Sequence, residues 1–264
     1  MEVNNMFVAD VSDNNPADIS GIISENDAVI VKVTEGNSYV NKHVTTQVNQ
    51  VKESGKKLGL YHFIVGGIDA KEQAQFFLDN AAPECYDPDV PLLLDFENMA
   101  GYPVLSGYEP REIADYIYEK TGKKVWLYIG YSDVVNSVHG YSWEDMADNP
   151  VWIADYPYMA PTEYTQELQD WADNTHFVNI KEWKIITMWQ YVCVPYDRSI
   201  FYGDARTWDL LAAPVNNQTD PHPESESPQP DSQSDTAQQA IGVIDEQTKS
   251  EIHDLAQAIA DKTK

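Results

Sequence analysis

Cysteine is nearly absent: Cys85 and Cys193 are the only two among 264 residues. Two cysteines make no disulfide framework, no Cys-x-x-Cys metal spacing occurs, and neither sits in a recognisable nucleophile motif. Histidine is scarce too, six in all, with no H-E-x-x-H or other paired spacing, so a zinc hydrolase finds no ligand set here. The expectation is a chain with no metal and no cofactor. No run of eighteen apolar residues exists, so nothing in the sequence spans a membrane. Basic residues are few: 17 Lys and Arg stand against 43 Asp and Glu, a formal charge of −26. Without a basic stripe, nucleic acid is a poor partner, and electrostatic docking on anionic membranes or wall polymers is disfavoured. A polymeric ligand would be held by stacking and hydrogen bonds instead. The first thirty residues lack a basic start followed by an apolar stretch, so the expectation is synthesis in the cytoplasm without an ordinary signal peptide.

Composition breaks near Ala213. From Pro214 to Thr236 the chain is Pro, Ser, Gln, Asn and acids with almost nothing apolar, as in Pro221-His222-Pro223-Glu224-Ser225. Such a segment buries too little to fold and reads as an extended, disordered linker. Beyond it, Ile241, Ile244, Ile252, Leu255, Ala256 and Ile259 fall on one helical stripe. Gly242 weakens the start of that helix, and a heptad reading puts Thr248 and Glu251 on the seam. Two readings stand: a lone marginal helix, or a small self-association or docking element. The expected organisation is a large domain over 1–213, a linker over 214–236 and a short amphipathic helix over 237–264.

Residues 1–213 alternate strand and helix. Strand candidates are Met6–Val11, Ala28–Val33, Leu58–Val65, Val90–Glu97, Val125–Tyr131, Val151–Ala154 and Ile185–Tyr191, with a last short strand at Ser199–Phe201. Most are apolar on both faces, as parallel strands covered by helices are. Helices are expected at Asn41–Ser54, Ala70–Ala81 and Pro110–Thr121, the last with acids in its first turn and Gly122 as its stop. This alternation means a βα barrel or a doubly wound sheet. No G-x-G-x-x-G or phosphate loop follows the first strand, which favours the barrel. The final third leaves little room for full helices, so the fold class expected is α/β: an irregular, TIM-like βα barrel with reduced helices late in the domain. On that barrel Cys85 lies below the fourth strand and Cys193 above the seventh, too far apart to bond.

Reactive groups of a βα barrel gather at the C-terminal ends of its strands. Those ends carry Asp10 and Ser12, then Thr34 and Glu35, Tyr61 and His62, Asp95 and Glu97, Tyr128 and Tyr131, Asp155 and Tyr156, and Trp189, Gln190 and Tyr191, with Asp197 just after. Scattered polar ends are ordinary. Acids at several ends with aromatics at several others describe a sugar cleft, with acids for chemistry and rings for the apolar faces of pyranoses. Within the run Pro91-Leu92-Leu93-Leu94-Asp95-Phe96-Glu97, Asp95 and Glu97 share one face, with Cβ atoms roughly 6.5–7 Å apart. A proton donor and a carboxylate that stabilises positive charge are what glycosidic cleavage needs.

These stretches carry a resemblance. The set Val8-Ala9-Asp10-Val11-Ser12, Val31-Lys32-Val33-Thr34-Glu35-Gly36, Gly59-Leu60-Tyr61-His62-Phe63, Leu94-Asp95-Phe96-Glu97, Leu127-Tyr128-Ile129-Gly130-Tyr131, Trp152-Ile153-Ala154 and Met188-Trp189-Gln190-Tyr191 resembles the glycoside hydrolase family 25 lysozymes, muramidases common among phage endolysins and bacterial autolysins. No single piece is specific; the ordered set is. The resemblance implies cleavage of the β-1,4 bond between N-acetylmuramic acid and N-acetylglucosamine of peptidoglycan. It also implies Glu97 as general acid, Asp95 as its charge-stabilising partner, and Asp10 and Asp197 as supporting catalytic acids. Family members often have Asp-x-Asn where this chain has Asp197-Arg198-Ser199, and Asp155 stands where many carry an uncharged residue.

Expected sugar contacts are Tyr61, His62, Tyr128, Asp155, Trp189 and Gln190. Asp95 is expected to stay ionised and to act as base, nucleophile or orienter of the substrate acetamido group; spacing in sequence does not choose. The implied partner is the peptidoglycan glycan strand of Gram-positive walls, reached by release through a phage holin. The other class of function open to the same cleft is a non-catalytic glycan-binding barrel of a virion or cell surface. The retained Asp95–Glu97 pair favours the enzyme, because a pure binder gains little from two adjacent like charges.

Overall fold

In the computed structural model, residues 4–136, 141–156, 163–175 and 180–215 are described. The expected linker beyond Val215 and the helix over 237–264 lie outside the described residues. The strands are β1 (Met6–Val11), β2 (Ala28–Glu35), β3 (Tyr39–Val40), β4 (Lys57–Phe63), β5 (Leu92–Phe96), β6 (Trp126–Gly130), β7 (Val151–Ala154), β8 (Met188–Val192) and β9 (Asp197–Phe201). Seven of them run parallel in the order β1, β2, β4, β5, β6, β7, β8, and β9 fits antiparallel between β8 and β1 to close the ring. The two-residue β3 pairs with β2 outside the ring. The expected barrel is therefore present, with one reversed strand.

That reversal matters for the site. A parallel strand brings its last residues to the top of the barrel, whereas β9 brings its first. Register makes the point concrete: Asp10, near the end of β1, lies opposite Asp197, the first residue of β9.

Helices α1 (Ser20–Ser24), α2 (Val44–Ser54), α3 (Ala70–Ala81), α4 (Glu109–Thr121), α5 (Tyr131–Val135), α6 (Gln166–Asn174) and α7 (Ala205–Ala212) surround the ring. The best formed follow their local signals. Asp69 caps α3 by accepting from the amides of Lys71 and Glu72 at 2.9 and 3.0 Å, satisfying donors with no partner inside the helix. Helix α4 has Glu109 and Glu112 in its first turn and Lys120 in its last, and ends on Gly122 at φ 72°, a left-handed stop that glycine adopts without strain. After β6 the helices shrink: α5 has five residues, as the crowded final third of the sequence implied.

Two apolar layers follow from strand alternation. Outward-facing residues such as Val29, Val31, Leu60, Leu92, Leu94, Leu127 and Ile129 pack against Val51, Phe77, Ile113 and Ile117 of the helices. Their inward-facing neighbours, among them Val8, Ile30, Leu93, Trp126 and Met188, fill the ring. Gly59 belongs to this interior, and a Cβ there would meet Ile30 at 3.0 Å and Leu93 at 3.3 Å. At the lower end Trp208 of α7 closes the barrel, its ring 4.8 Å from Trp126 and 5.2 Å from Phe201. The lower half of the ring is therefore filled, and among the described residues the polar inward-facing positions lie at the upper end. Both cysteines are free, Cys85 buried and Cys193 half-buried.

Candidate active site

Continuing the inward-facing rows upward from the apolar plug gives polar residues at nearly every strand. They meet in a pocket of about 210 Å³ lined by Asp10, Tyr61, Asp95, Glu97, Tyr128, Trp152, Tyr156, Gln190 and Asp197, with Ser12 and Asn14 at the rim. The expected pair therefore shares one face and one cavity, and the two other expected acids converge on the same space.

Gln190 organises one wall. Its Oε1 accepts from the hydroxyls of Tyr128 at 2.8 Å and Tyr156 at 2.5 Å, and its Nε2 donates to Asp10 Oδ2 at 2.9 Å. Two hydroxyl donors on one side turn the amide so that its own donor faces the carboxylate. On the opposite wall Asp95 Oδ1 is buried with no hydrogen-bond partner among the described residues. A buried acceptor left alone is costly, and a substrate donor would satisfy it. Trp152 stands 4.5 Å from the Tyr128 ring and donates its indole N–H to Ser199 Oγ at 3.0 Å. This gives Asp197-Arg198-Ser199 its meaning. Asp197 and Ser199 point inward, while Arg198 points outward and is clamped between the Tyr164 and Tyr196 rings at 4.0 and 4.1 Å and paired with Glu25 at 2.5 Å.

Four carboxyl groups in so small a space resist ionising together. Burial, then Asp197, raises Asp10 well above the ordinary carboxylate range; burial, then Glu97, does the same to Asp95. Glu97 is raised chiefly by burial, and Asp197 is pushed up to about 7 by burial and the Glu97 charge. Lys32 is the opposing charge: it lowers Asp95 and Glu97 while tied to Glu35 at 2.8 Å. The pocket thus retains protons near neutral pH, which a general acid requires. Burial thus works against the ionised state expected of Asp95. Its surroundings favour the neutral form until positive charge develops nearby.

Three expected contacts fall elsewhere. His62 follows inward-facing Tyr61 and so faces out: it is fully buried, bonds Thr34 Oγ1 through Nδ1 at 2.9 Å, lies 5.5 Å from the Phe77 ring, and burial pulls it down to about 3. Trp189 precedes inward-facing Gln190 and is likewise outside the ring, 5.1 Å from Trp171 of α6. Asp155 sits at the end of β7, raised to about 6 by burial, but the pocket is lined by Trp152 and Tyr156 on either side of it. Trp152 and Asn14 are what sequence reasoning missed, while Ser12 and Tyr156 were read as strand ends without being assigned to the site; counting alternate positions back from Tyr156 would have found Trp152. Among the described residues no group of three His, Cys, Asp or Glu is arranged to hold a metal.

Comparison with known proteins agrees with this geometry. The family model for glycosyl hydrolases family 25 matches residues 9–198, a span that begins beside Asp10 and ends beside Asp197. The lysozyme of Streptococcus phage Cp-1 is 29% identical over 213 residues, covering 76% of this chain and 55% of that protein. The chain thus spans about half the length of the curated relatives it matches. Among solved structures, the bacterial lysozyme from Streptomyces coelicolor superposes with a TM-score of 0.64 at 22% identity, covering 80% of this chain and 98% of that one, a likeness of fold. The modular Cpl-1 endolysin complexed with a peptidoglycan analogue gives a TM-score of 0.56 at 26% identity, with 77% and 56% coverage.

Proposed function

The chain belongs to the glycosyl hydrolases family 25, and on that premise we propose that it is an endo-acting N-acetylmuramidase, a lysozyme that hydrolyses the β-1,4 bond between N-acetylmuramic acid and N-acetylglucosamine. The observation that carries this reading is the meeting of Asp10, Asp95, Glu97 and Asp197 in one pocket with tyrosine and tryptophan rings around them. Paired acids supply the chemistry of glycoside hydrolysis, and the rings supply apolar surface for sugar faces.

Glu97 is the general acid. Burial raises its pKa and so favours the protonated form, and it gives that proton to the glycosidic oxygen as the bond breaks, a step worth about 10²–10⁴-fold. Asp95, two residues earlier on the same face, meets the positive charge that grows on the sugar ring; that charge offsets the burial that otherwise favours its neutral form. Asp10 and Asp197, directly opposed in register, hold water or the substrate acetamido group against this centre. Gln190 keeps Asp10 in place. Tyr61, Tyr128, Trp152 and Tyr156 form the walls.

The substrate class is the peptidoglycan strand of Gram-positive walls. Support comes from phage lysozymes among the relatives and from a related endolysin solved with a peptidoglycan analogue. A phage endolysin that reaches the wall through a membrane pore is the biological setting that fits these relatives, with residues beyond 214 as linker and as a docking or self-association element. The test is loss of turbidity of purified Gram-positive walls. Wild-type protein should clear them and Glu97→Gln should not; equal clearing by both would remove Glu97 from its role.

A further inference from the structure

Apolar side chains of a soluble domain normally turn inward, yet beside the catalytic pocket three do not. Met99 is 48% exposed, Val104 66% and Tyr102 38%. They line, with Asn98 and Asp133, a groove of about 650 Å³. The groove starts at the residue after Glu97. Its one charged wall residue, Asp133 in the first turn of α5, lies close enough to Glu97 to act on its carboxyl group electrostatically. The groove therefore adjoins the pocket where the chain passes from Glu97 to Asn98.

The wall of this groove is fixed before any ligand arrives. The Tyr102 hydroxyl donates to Glu35 Oε1 at 2.8 Å and its ring packs 5.3 Å from that of Phe63. Asn98 Oδ1 accepts from the Leu105 amide at 3.1 Å. The backbone of Val104 runs so close to Gly66 that a Cβ there would come within 2.5 Å of the Val104 carbonyl oxygen. Exposed apolar surface on a pinned scaffold is the mark of a binding surface rather than of a loose loop.

We propose that this groove seats the peptide stem of the substrate, with Met99, Tyr102 and Val104 against its methyl-bearing residues and Asp133 opposite its ammonium group. The proposal rests on the muramidase reading. Muramic acid differs from glucosamine by a lactyl ether at C3, and the peptide hangs from that ether. Cleavage on the reducing side of muramic acid puts that sugar beside Glu97, so its peptide must leave the pocket alongside. Stem peptides combine small alkyl side chains with a diamino acid, matching apolar walls and one carboxylate. The ligand's cation also meets a strongly acidic chain.

The experiment measures KM for release of reducing ends from two forms of one glycan: strands carrying their stem peptides, and strands stripped of them by an amidase. Wild-type protein should prefer the peptide-bearing form by about tenfold in KM, the sum of a few apolar contacts and one exposed ion pair. Met99→Ser with Val104→Ser should bring that preference toward one. Asp133→Asn should lower it by about threefold at low salt and by less at high salt. Equal KM for both glycans with the wild type, or variants that raise both KM values alike, would overturn the assignment. Cleavage of neither glycan would overturn the muramidase reading itself and the stem groove with it, and is told apart by the stripped strands.

Discussion

Replacing Gln190 with leucine isolates the network that holds Asp10. Leucine keeps the bulk of the side chain and removes both polar ends. Three hydrogen bonds then go: those from Tyr128 and Tyr156 to Oε1, and that from Nε2 to Asp10. Gln190 and Tyr128 are buried, so water replaces their bonds poorly; half-buried Tyr156 finds water more readily. At about 1 kcal/mol of net stability per bond, the loss comes to roughly 2–3 kcal/mol. For a domain of this size that lowers Tm by about 5–10 °C. The functional effect has its own sign. The Gln190 amide lowers the pKa of Asp10, so without it Asp10 holds its proton to still higher pH. Thermal unfolding gives the first effect. Rates of reducing-end release across pH 4–8 give the second, and the ascending limb should move to higher pH. An unchanged Tm together with an unchanged pH profile would refute the reasoning.

Other outcomes follow from the same geometry. Asp197 is raised to about 7 by burial and Glu97, so between its unfolded range near 4 and about 7 the native state binds the extra proton. Stability should therefore fall as pH rises through that window, by an amount on the order of 4 kcal/mol, and Asp197→Asn should flatten the denaturant midpoint against pH; a midpoint that rises from pH 4 to 7 in the wild type contradicts this. Trp189→Phe should cost about 1–3 kcal/mol in denaturant unfolding and leave KM for peptidoglycan within twofold, because the ring packs on Trp171 outside the barrel; a severalfold rise in KM would return that ring to the cleft. Thiol titration of the native, unreduced protein should find Cys193 reacting first and Cys85 only slowly, since Cys85 is buried and its thiol pushed up to about 11; one fast and equal phase for both would contradict that burial.

Much of this barrel was legible in its sequence because buried parallel strands are short apolar runs whose ends must be polar. Met6–Val11 and Val151–Ala154 were read to the residue, as was Ala70–Ala81. The last strand was harder. It begins at Asp197, two residues before the expected start at Ser199, and sequence gives no sign that it runs backwards and so presents its first residue at the active end. At the site, Asp95 and Glu97 were placed together by spacing alone. Adjacent residues were then over-assigned: Tyr61 with His62 and Trp189 with Gln190 cannot both enter one pocket, since neighbours on a strand face opposite ways. His62 and Trp189 are conspicuous residue types, and chemistry outweighed alternation in the reading. Trp152 was overlooked for the opposite reason: in an apolar strand it looks like core, and only its place two positions from Ala154 in the inward row makes it a wall of the pocket.

Chemical identification of the new reducing sugar tests the pairing of Glu97 and Asp95 in glycan cleavage most directly. Purified Gram-positive peptidoglycan would be digested, reduced with borohydride and hydrolysed to its amino sugars. Wild-type protein should yield the alcohol of muramic acid, and Glu97→Gln at the same folded concentration should yield less than about one hundredth as much. The alcohol of glucosamine in place of that product, or undiminished product from Glu97→Gln, would contradict the assignment.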